Sequence, residues 1–268
     1  MNTNAFEVVE FPKTRLATMD VGRFALKKHY MFCLLEVDVT EARQNARALR
    51  QQAEGPSFTA WMIKAIGDSV ARNKGAHALL LGRRGLVQFD DVDIAVPVER
   101  SVGGTGVPLP LLIKATDKKT VFEIHNEIEA ATSRTIAGER DYILSEHQFS
   151  TSTLRLYYAL PQWARMLTYR WLFGNPFRAK RHSGTVIVTT VNATGGTGGW
   201  ILPTRTLHNL SVGLGAVTKK PWVVEGQIRI RDVLHMTVTF NHDVIDGVPA
   251  RRFVQDLVRT IERGSLQG

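Results

Sequence analysis

The strongest constraint on the fold lies near the carboxyl end of the sequence, where a strand pattern changes abruptly to a helix pattern. From Leu234 to Phe240 the even positions are all apolar, which is typical of a strand with a buried face. From Ala250 onward, apolar residues recur at the i, i+3, i+4 and i+7 spacing of an amphipathic helix, with Pro249 in its first turn. The link over 241–249 must therefore join the end of a strand to the start of a helix.

A histidine and an acidic residue occupy this link. If the strand alternation continues to His242, its side chain falls on the apolar side, beside the positive end of a helix, where the neutral imidazole of a general base is favoured. The alternative is a well-made turn, in which Asp246 caps the helix, Gly247 supplies conformational freedom and His242 is a core histidine. The residues alone leave both interpretations open.

Further strands and helices are predicted along the rest of the chain. Strands are expected at 30–39, 77–82, 86–90, 91–98 and 107–114, with a hairpin-like link between the second and third. Helices are expected at 40–53, within 55–73 and at 118–136, the last capped by Asp117. From Gly184 to Phe240 the pattern is entirely strand-like, in five segments with a glycine-rich loop after the first: GTVIVTTV, LSVGLGAVT, WVVEG, QIRIR and VLHMTVTF.

Residues 138–183 form a variable helical and basic insertion in what is expected to be one domain over 1–268. The insertion is rich in aromatic and basic residues. One interpretation is an amphipathic helix with solvated arginines. The other is a membrane-surface or partner-docking helix over 153–181, since aromatic and basic residues together suit an interface.

The composition limits the classes of function. The formal net charge of +9 favours anionic partners such as the phosphates of coenzyme A, while no nucleic-acid motif accompanies the basic residues. Cys33 is the only cysteine, so neither an intrachain disulfide nor a zinc knuckle can form, and no metal is expected. No signal peptide or membrane-spanning run is evident, and a soluble, cytoplasmic protein is predicted.

The pattern H-x-x-x-D-G between a strand and a closing helix resembles the active-site signature of the dihydrolipoyl acyltransferases of 2-oxoacid dehydrogenase complexes and of their relative, chloramphenicol acetyltransferase. The likeness extends over nearly the whole chain, in the same order and spacing, through residues 29–40, 57–73, 91–99, 106–128, 184–190 and 212–240. It implies an α/β fold, a two-layer sandwich of a mixed β-sheet with helices, like that of chloramphenicol acetyltransferase.

The resemblance also implies roles for particular residues. The histidine, here His242, would take the proton from a thiol, and the thiolate would attack an acyl thioester. A hydroxyl residue would hydrogen-bond the oxyanion: counting from Gly184 selects Thr189, whereas the usual separation from the histidine selects Thr190. Asp246 would be an orienting residue, paired with Arg15 or, as a second candidate, Arg23.

Several departures from the family pattern bear on function. The usual D-H-R-x-x-D-G reads Asn241-His242-Asp243-Val244-Ile245-Asp246-Gly247. No lipoyl domain and so no covalently bound lipoyl group is expected on this chain, and a free homotrimer with its active site between subunits is predicted. The implied activity is acyl transfer between coenzyme A and a thiol, hydroxyl or amine acceptor, including a lipoyl-type thiol. A non-catalytic binding or scaffold subunit of the same fold is the alternative.

Overall fold

The computed structural model describes residues 6–7, 11, 14–52, 55–102, 105–133, 156–190, 198–203 and 205–266. The helices are α1 Thr14–Ala25, α2 Thr40–Gln52, α3 Phe58–Arg72, α4 Val121–Ser133, α5 Gln162–Phe173, α6 Pro176–Ser183 and α7 Gly247–Glu262. The strands are β1 Tyr30–Asp38, β2 Leu79–Leu81, β3 Gly85–Val87, β4 Ile94–Val102, β5 Thr105–Ile113, β6 Val186–Thr190, β7 Leu210–Val224 and β8 Gln227–Asn241. Residues 156–159 form a further helical turn.

Six of the strands form one mixed sheet in the order β1-β8-β7-β6-β4-β5. The β4–β6 and β6–β7 pairs are parallel, whereas β1–β8, β7–β8 and β4–β5 are antiparallel. The short strands β2 and β3 pair with each other in a separate hairpin, as their sequence predicts.

The main core lies between this sheet and helices α2, α3, α4 and α7. The even positions of β8 from Leu234 to Phe240 are buried in it, and Phe240 meets Phe253 of α7 at a ring-centroid distance of 5.8 Å. Trp61 of α3, which is among the largest fully buried side chains, belongs to the same cluster. The apolar residues of the alternating strands and of the amphipathic helices are therefore buried in one core, and the predicted α/β sandwich is confirmed.

The prediction of separate strands after residue 210 is wrong. One continuous hairpin replaces four predicted segments, because β7 and β8 run unbroken to a tight turn at Glu225 and Gly226. Both turn residues have positive φ, 52° and 78°, which is the conformation that matches the twist of a two-residue hairpin. The pairing of β7 with β8 contains a β-bulge, where the register shifts between Leu214 and Val217.

Helix α4 begins later than predicted. Asp117 does not cap it; its carboxylate accepts the backbone N–H of Val92 at 2.9 Å. The cap is instead formed by Thr120 and Glu123: Oγ1 of Thr120 accepts the N–H of Glu123, and Oε2 of Glu123 accepts the N–H of Thr120. This reciprocal capping box satisfies two backbone donors at the helix start and explains why the helix begins at Val121.

The second face of the sheet carries Ser211, Thr237 and Thr239 together with the exposed Phe32 and Leu34 of β1, and part of it is also covered. Residues 198–203 lie against β7, where Gly213 and Gly215 leave room for the approaching chain. A Cβ atom at Gly215 would lie 2.6 Å from the carbonyl oxygen of Gly199, so a side chain there would displace the segment. Trp200 packs edge-on against His235 at 4.7 Å and donates its indole N–H to the carbonyl of Leu35.

The buried His77 predicts a pH-dependent stability. Burial lowers the pKa of His77 to about 4, while one ring nitrogen contacts the hydroxyl of Thr185 at 2.7 Å. Since the unfolded histidine titrates near its ordinary value, the stabilisation is present above about pH 6.5 and is lost as the pH falls toward 4. We expect His77 to lower the free energy of unfolding, measured by urea denaturation, by about 2 kcal/mol at pH 5 relative to pH 7.5.

His77→Gln should remove that share of the pH dependence, whatever its effect on stability at pH 7.5. His29→Gln is the matched control, because the His29 side chain is exposed. An equal pH dependence in wild type and His77→Gln would show that His77 does not titrate as described.

Candidate active site

The turn that carries His242 starts one residue earlier than the strand alternation suggests. β8 ends at Asn241, and residues 242–244 form the turn before α7. The His242 side chain is 49% exposed, so the prediction that it points into the apolar interior is wrong. The reason is local: Oδ1 of Asn241 accepts the backbone N–H of Asp243 at 3.2 Å, which closes the turn and takes residue 242 out of the strand.

Asp246 occupies the N-cap position of α7 without acting as a cap. Its backbone is extended, with φ −85° and ψ 168°, but its side chain accepts no hydrogen bond from the helix. One carboxylate oxygen instead lies 4.0 Å from Nδ1 of His242. Gly247 is the first helical residue and has no positive φ, so the turn does not use the freedom of glycine. The Asp246 carboxylate is 88% exposed and, at 4.0 Å, lies near His242 without a hydrogen bond to it.

A buried network that the sequence did not reveal supports this turn. Nδ2 of Asn241 donates to Oδ1 of Asn209 at 3.1 Å, and the same oxygen accepts Nζ of Lys28 at 3.1 Å. Burial lowers the pKa of Lys28 to about 8. Lys28, Asn209 and Asn241 are distant in sequence and carry no motif, so only the β1–β8–β7 pairing could bring them together.

Asp243, which replaces the arginine of the usual family motif, contacts the start of β1. Its Oδ1 lies 2.7 Å from Nδ1 of His29, and the carbonyl oxygen of His29 accepts the backbone N–H of His242 at 2.6 Å. The pair is largely solvent-exposed and is worth little as an ion pair. The pair instead positions the turn, because the Asp243 side chain and the His242 backbone both contact His29 beside the start of β1.

The two candidate hydroxyl residues lie on opposite faces of the sheet. Thr190 is level with Leu214 and Met236 on the helix-covered face, whereas Thr189 pairs with Gly213 and so shares the second face with Thr237. Two strand spacings, together with the rise along β8 from residue 237 to residue 242, place Thr189 roughly 20 Å from His242 in one chain. A single chain therefore does not bring either threonine to the histidine.

The predicted arginine partners of Asp246 are not beside it. Arg15 lies on the exposed side of α1, and Arg23 donates to Gln162 of α5. Within the described part of the chain, neither forms an ion pair with Asp246. Over the same residues, no cluster of three or more His, Cys, Asp or Glu side chains could hold a metal ion.

The segment that contains this site matches the model of a known family. Residues 185–266 match the family model of the 2-oxoacid dehydrogenases acyltransferase (catalytic domain). The matched segment includes β6, β7, β8, His242 and α7.

Among known proteins, the chain is 21% identical over 273 aligned positions to the dihydrolipoyllysine-residue acetyltransferase component of the pyruvate dehydrogenase complex of Bacillus subtilis, covering 96% of this chain and 52% of that protein. The chain thus spans about half, or less, of the length of the curated relatives that it matches.

Two solved structures, one of a dihydrolipoamide acetyltransferase and one of a pyruvate dehydrogenase core, have the fold of this chain. The Azotobacter vinelandii enzyme, studied for the catalytic roles of a serine, a histidine and an asparagine, has a TM-score of 0.67 at 18% identity, covering 98% of this chain and 95% of that one. The cubic core of a pyruvate dehydrogenase multienzyme complex has a TM-score of 0.66 at 16% identity, with coverage of 98% and 95%.

Proposed function

We propose that this protein transfers an acyl group between coenzyme A and a thiol, hydroxyl or amine acceptor, with His242 as the general base. The observation that carries the proposal is the proximity of Asp246, whose carboxylate caps no helix N–H and lies 4.0 Å from Nδ1 of His242. A capping role would account for an aspartate at this position only if it accepted a helix N–H. An orienting role accounts for its position beside His242.

The geometry supports a defined path for the proton. Bringing the Asp246 carboxylate from 4.0 Å to hydrogen-bonding distance of Nδ1 fixes the tautomer that carries its proton on Nδ1 and leaves Nε2 as the acceptor. Nε2 of His242 takes the proton of the acceptor, whose thiolate, alkoxide or amine then attacks the thioester carbonyl. The tetrahedral oxyanion accepts a hydrogen bond from Thr189, and its collapse breaks the C–S bond and releases coenzyme A thiolate, which receives the proton from the imidazolium.

The active site is proposed to lie between copies of the chain, most simply in a homotrimer. His242 is half-exposed in one chain, whereas a general base works best where water is excluded. Thr189 lies too far from His242 to serve it within the same chain. A neighbouring copy that brings its Thr189 over His242 would supply the missing donor and exclude water together. The multimeric core among the similar structures supports such an assembly.

Coenzyme A is the proposed acyl carrier, and a lipoyl-type thiol is one candidate acceptor. The net charge of +9 suits the phosphates of coenzyme A. The presence of a single cysteine, Cys33, suits a reducing compartment such as the cytoplasm. Within the described ranges every helix is too short or too polar to cross a bilayer.

The activity is tested by incubating the purified protein with acetyl-coenzyme A and a panel of acceptors that includes dihydrolipoamide. Acylated product and free coenzyme A are followed by mass spectrometry, and binding of coenzyme A is measured separately by titration. Product formation supports the enzyme. Binding without turnover for any acceptor would instead favour the non-catalytic subunit, and neither binding nor turnover would overturn the coenzyme A proposal.

Thr189→Val is expected to lower kcat about 10²- to 10³-fold, because it removes the proposed oxyanion donor and keeps the shape of a strand residue. Thr190→Val is the matched control, since Thr190 lies on the helix-covered face, and it should retain activity. A larger loss from Thr190→Val than from Thr189→Val would reverse the assignment.

Co-expression of Thr189→Val and His242→Ala chains then tests whether the site is shared. Mixed assemblies should regain activity, because some interfaces combine an intact His242 with an intact Thr189. Mixed assemblies that are no more active than the separate variants would contradict a site between copies.

A further inference from the structure

Helix α5 has two faces of different chemistry. Its inner face packs on α1: the rings of Tyr169 and Phe173 each lie 5.9 Å from the ring of Phe24. Arg165, on the same inner face, forms a buried ion pair with Asp20 of α1. The helix is therefore anchored to the protein through one side, which leaves the other side facing outward.

The outer face of α5 is apolar and aromatic rather than polar. Trp163, Leu167 and Trp171 are 69%, 56% and 63% exposed, and their i, i+4, i+8 spacing places them in one stripe. Arg170 lies within the same stripe and is also exposed. Two exposed tryptophans in one helical stripe are uncommon on a surface that contacts only water.

Helix α6 adds one aromatic and two basic side chains to the stripe. Phe177 is exposed, and the guanidinium of Arg178 lies 4.3 Å from the ring centroid of Trp171. The exposed Arg181 follows on the same short helix. We call Trp163, Leu167, Arg170, Trp171, Phe177, Arg178 and Arg181 together the aromatic–basic face.

The charge of this part of the chain has one sign. Residues 156–183 contain four arginines and one lysine and no aspartate or glutamate. Lys180 is neutralised by Asp91 and Asp93, each at 2.7 Å. Among the residues that the structure describes, Arg170, Arg178 and Arg181 have no carboxylate partner. As far as the described ranges extend, the aromatic–basic face thus presents positive charge without a carboxylate partner around apolar side chains.

We propose that the aromatic–basic face docks on the surface of a bilayer that contains anionic lipids. Tryptophan and phenylalanine side chains lie favourably at the boundary of headgroups and acyl chains, and arginines beside them attract anionic headgroups. A second copy of this chain fits poorly in a symmetric contact, because each face would bring the same positive charge to the other. The docking is peripheral and is independent of the acyl-transfer proposal.

The proposal is tested by sedimenting the protein with vesicles of phosphatidylcholine alone, or of phosphatidylcholine with an equal molar share of phosphatidylglycerol. We expect binding to the anionic vesicles, weaker binding at high salt, and little binding to the neutral vesicles. Arg170→Gln/Arg181→Gln should lower the partition coefficient about 30-fold, since each arginine near an anionic surface contributes about fivefold. Trp163→Ser/Trp171→Ser should lower it at least as much.

Two matched variants control for total charge and total apolar surface. Arg251→Gln/Arg252→Gln removes two exposed arginines from α7, and Ile228→Ser/Ile230→Ser removes two exposed apolar residues from the β7–β8 hairpin. Both should bind as the wild type does, and circular dichroism should show all variants folded.

Three outcomes would overturn the proposal. The first is a wild type that does not bind anionic vesicles, and the second is an equal loss of binding in the controls. The third is a tryptophan variant that binds vesicles as the wild type does but sediments as a smaller species. The aromatic–basic face would then be a contact between copies of the chain.

Discussion

Replacing His242 by alanine is expected to lower kcat for acyl transfer by about 10²- to 10⁴-fold, with a much smaller change in KM for acetyl-coenzyme A. The loss follows from the proposed role, because no other group then takes the proton of the attacking acceptor. The His242 side chain is half-exposed and its neighbours are held by backbone contacts, so the variant should fold. Steady-state kinetics with product detection by mass spectrometry measures the effect.

Two neighbouring carboxylates serve as controls for this variant. Asp246→Asn should lower kcat by less than His242→Ala does, because it weakens the orientation of the imidazole and leaves the base in place. Asp243→Asn should have the smallest effect, since that carboxylate contacts His29. Turnover that survives His242→Ala would overturn the general-base assignment, while equal losses in all three variants would indicate a damaged turn rather than a lost base.

Replacing Arg165 by methionine is expected to destabilise the packing of α5 on α1 by about 3–5 kcal/mol. Asp20 is fully buried and the Arg165 side chain is 8% exposed. Nε and Nη2 of Arg165 donate to the two carboxylate oxygens of Asp20, at 2.5 and 3.3 Å, and its Nη1 donates to the carbonyl of Leu160. Removal of the arginine would leave a buried carboxylate without its counter-ion.

Urea denaturation and amide hydrogen exchange in α1 and α5 measure this effect. Asp20→Leu/Arg165→Met should be less destabilised than Arg165→Met, because the double variant buries no uncompensated charge. Lys74→Met, which breaks the exposed pair with Asp90, is the surface control and should change stability much less. Unchanged exchange in Arg165→Met would refute the importance of the pair.

The Asp20 carboxylate also gives the stability of this contact a pH dependence. Burial alone would raise the pKa of Asp20, but hydrogen bonds from Arg165, Tyr157 and Gln162 outweigh it and hold the pKa below its ordinary value. The contribution is therefore fully present above about pH 4 and is lost as the pH falls below that value.

Most elements of the fold follow from the sequence because their signals are local. Strand β1 and helix α2 begin where predicted, since alternation and helical spacing are properties of a few neighbouring residues. The hairpin of β7 and β8 was missed because Glu225 precedes Gly226 in a turn that usually shows asparagine or aspartate at its first position. The start of α4 was misplaced because Asp117 is used by the backbone of Val92, a contact across the fold.

The sequence by itself determined the family resemblance, the α/β class and the position of His242 and Asp246 at a strand-to-helix link. Only the tertiary structure decided what these residues do there. It left the helix N-terminus uncapped by Asp246, whose carboxylate lies 4.0 Å from His242, paired Asp243 with His29 and placed Thr189 roughly 20 Å from His242 in one chain. The physical reason is the range of the interactions: periodicity and turn chemistry act between near neighbours in sequence, whereas strand register and buried polar pairing join residues that only the folded chain brings together.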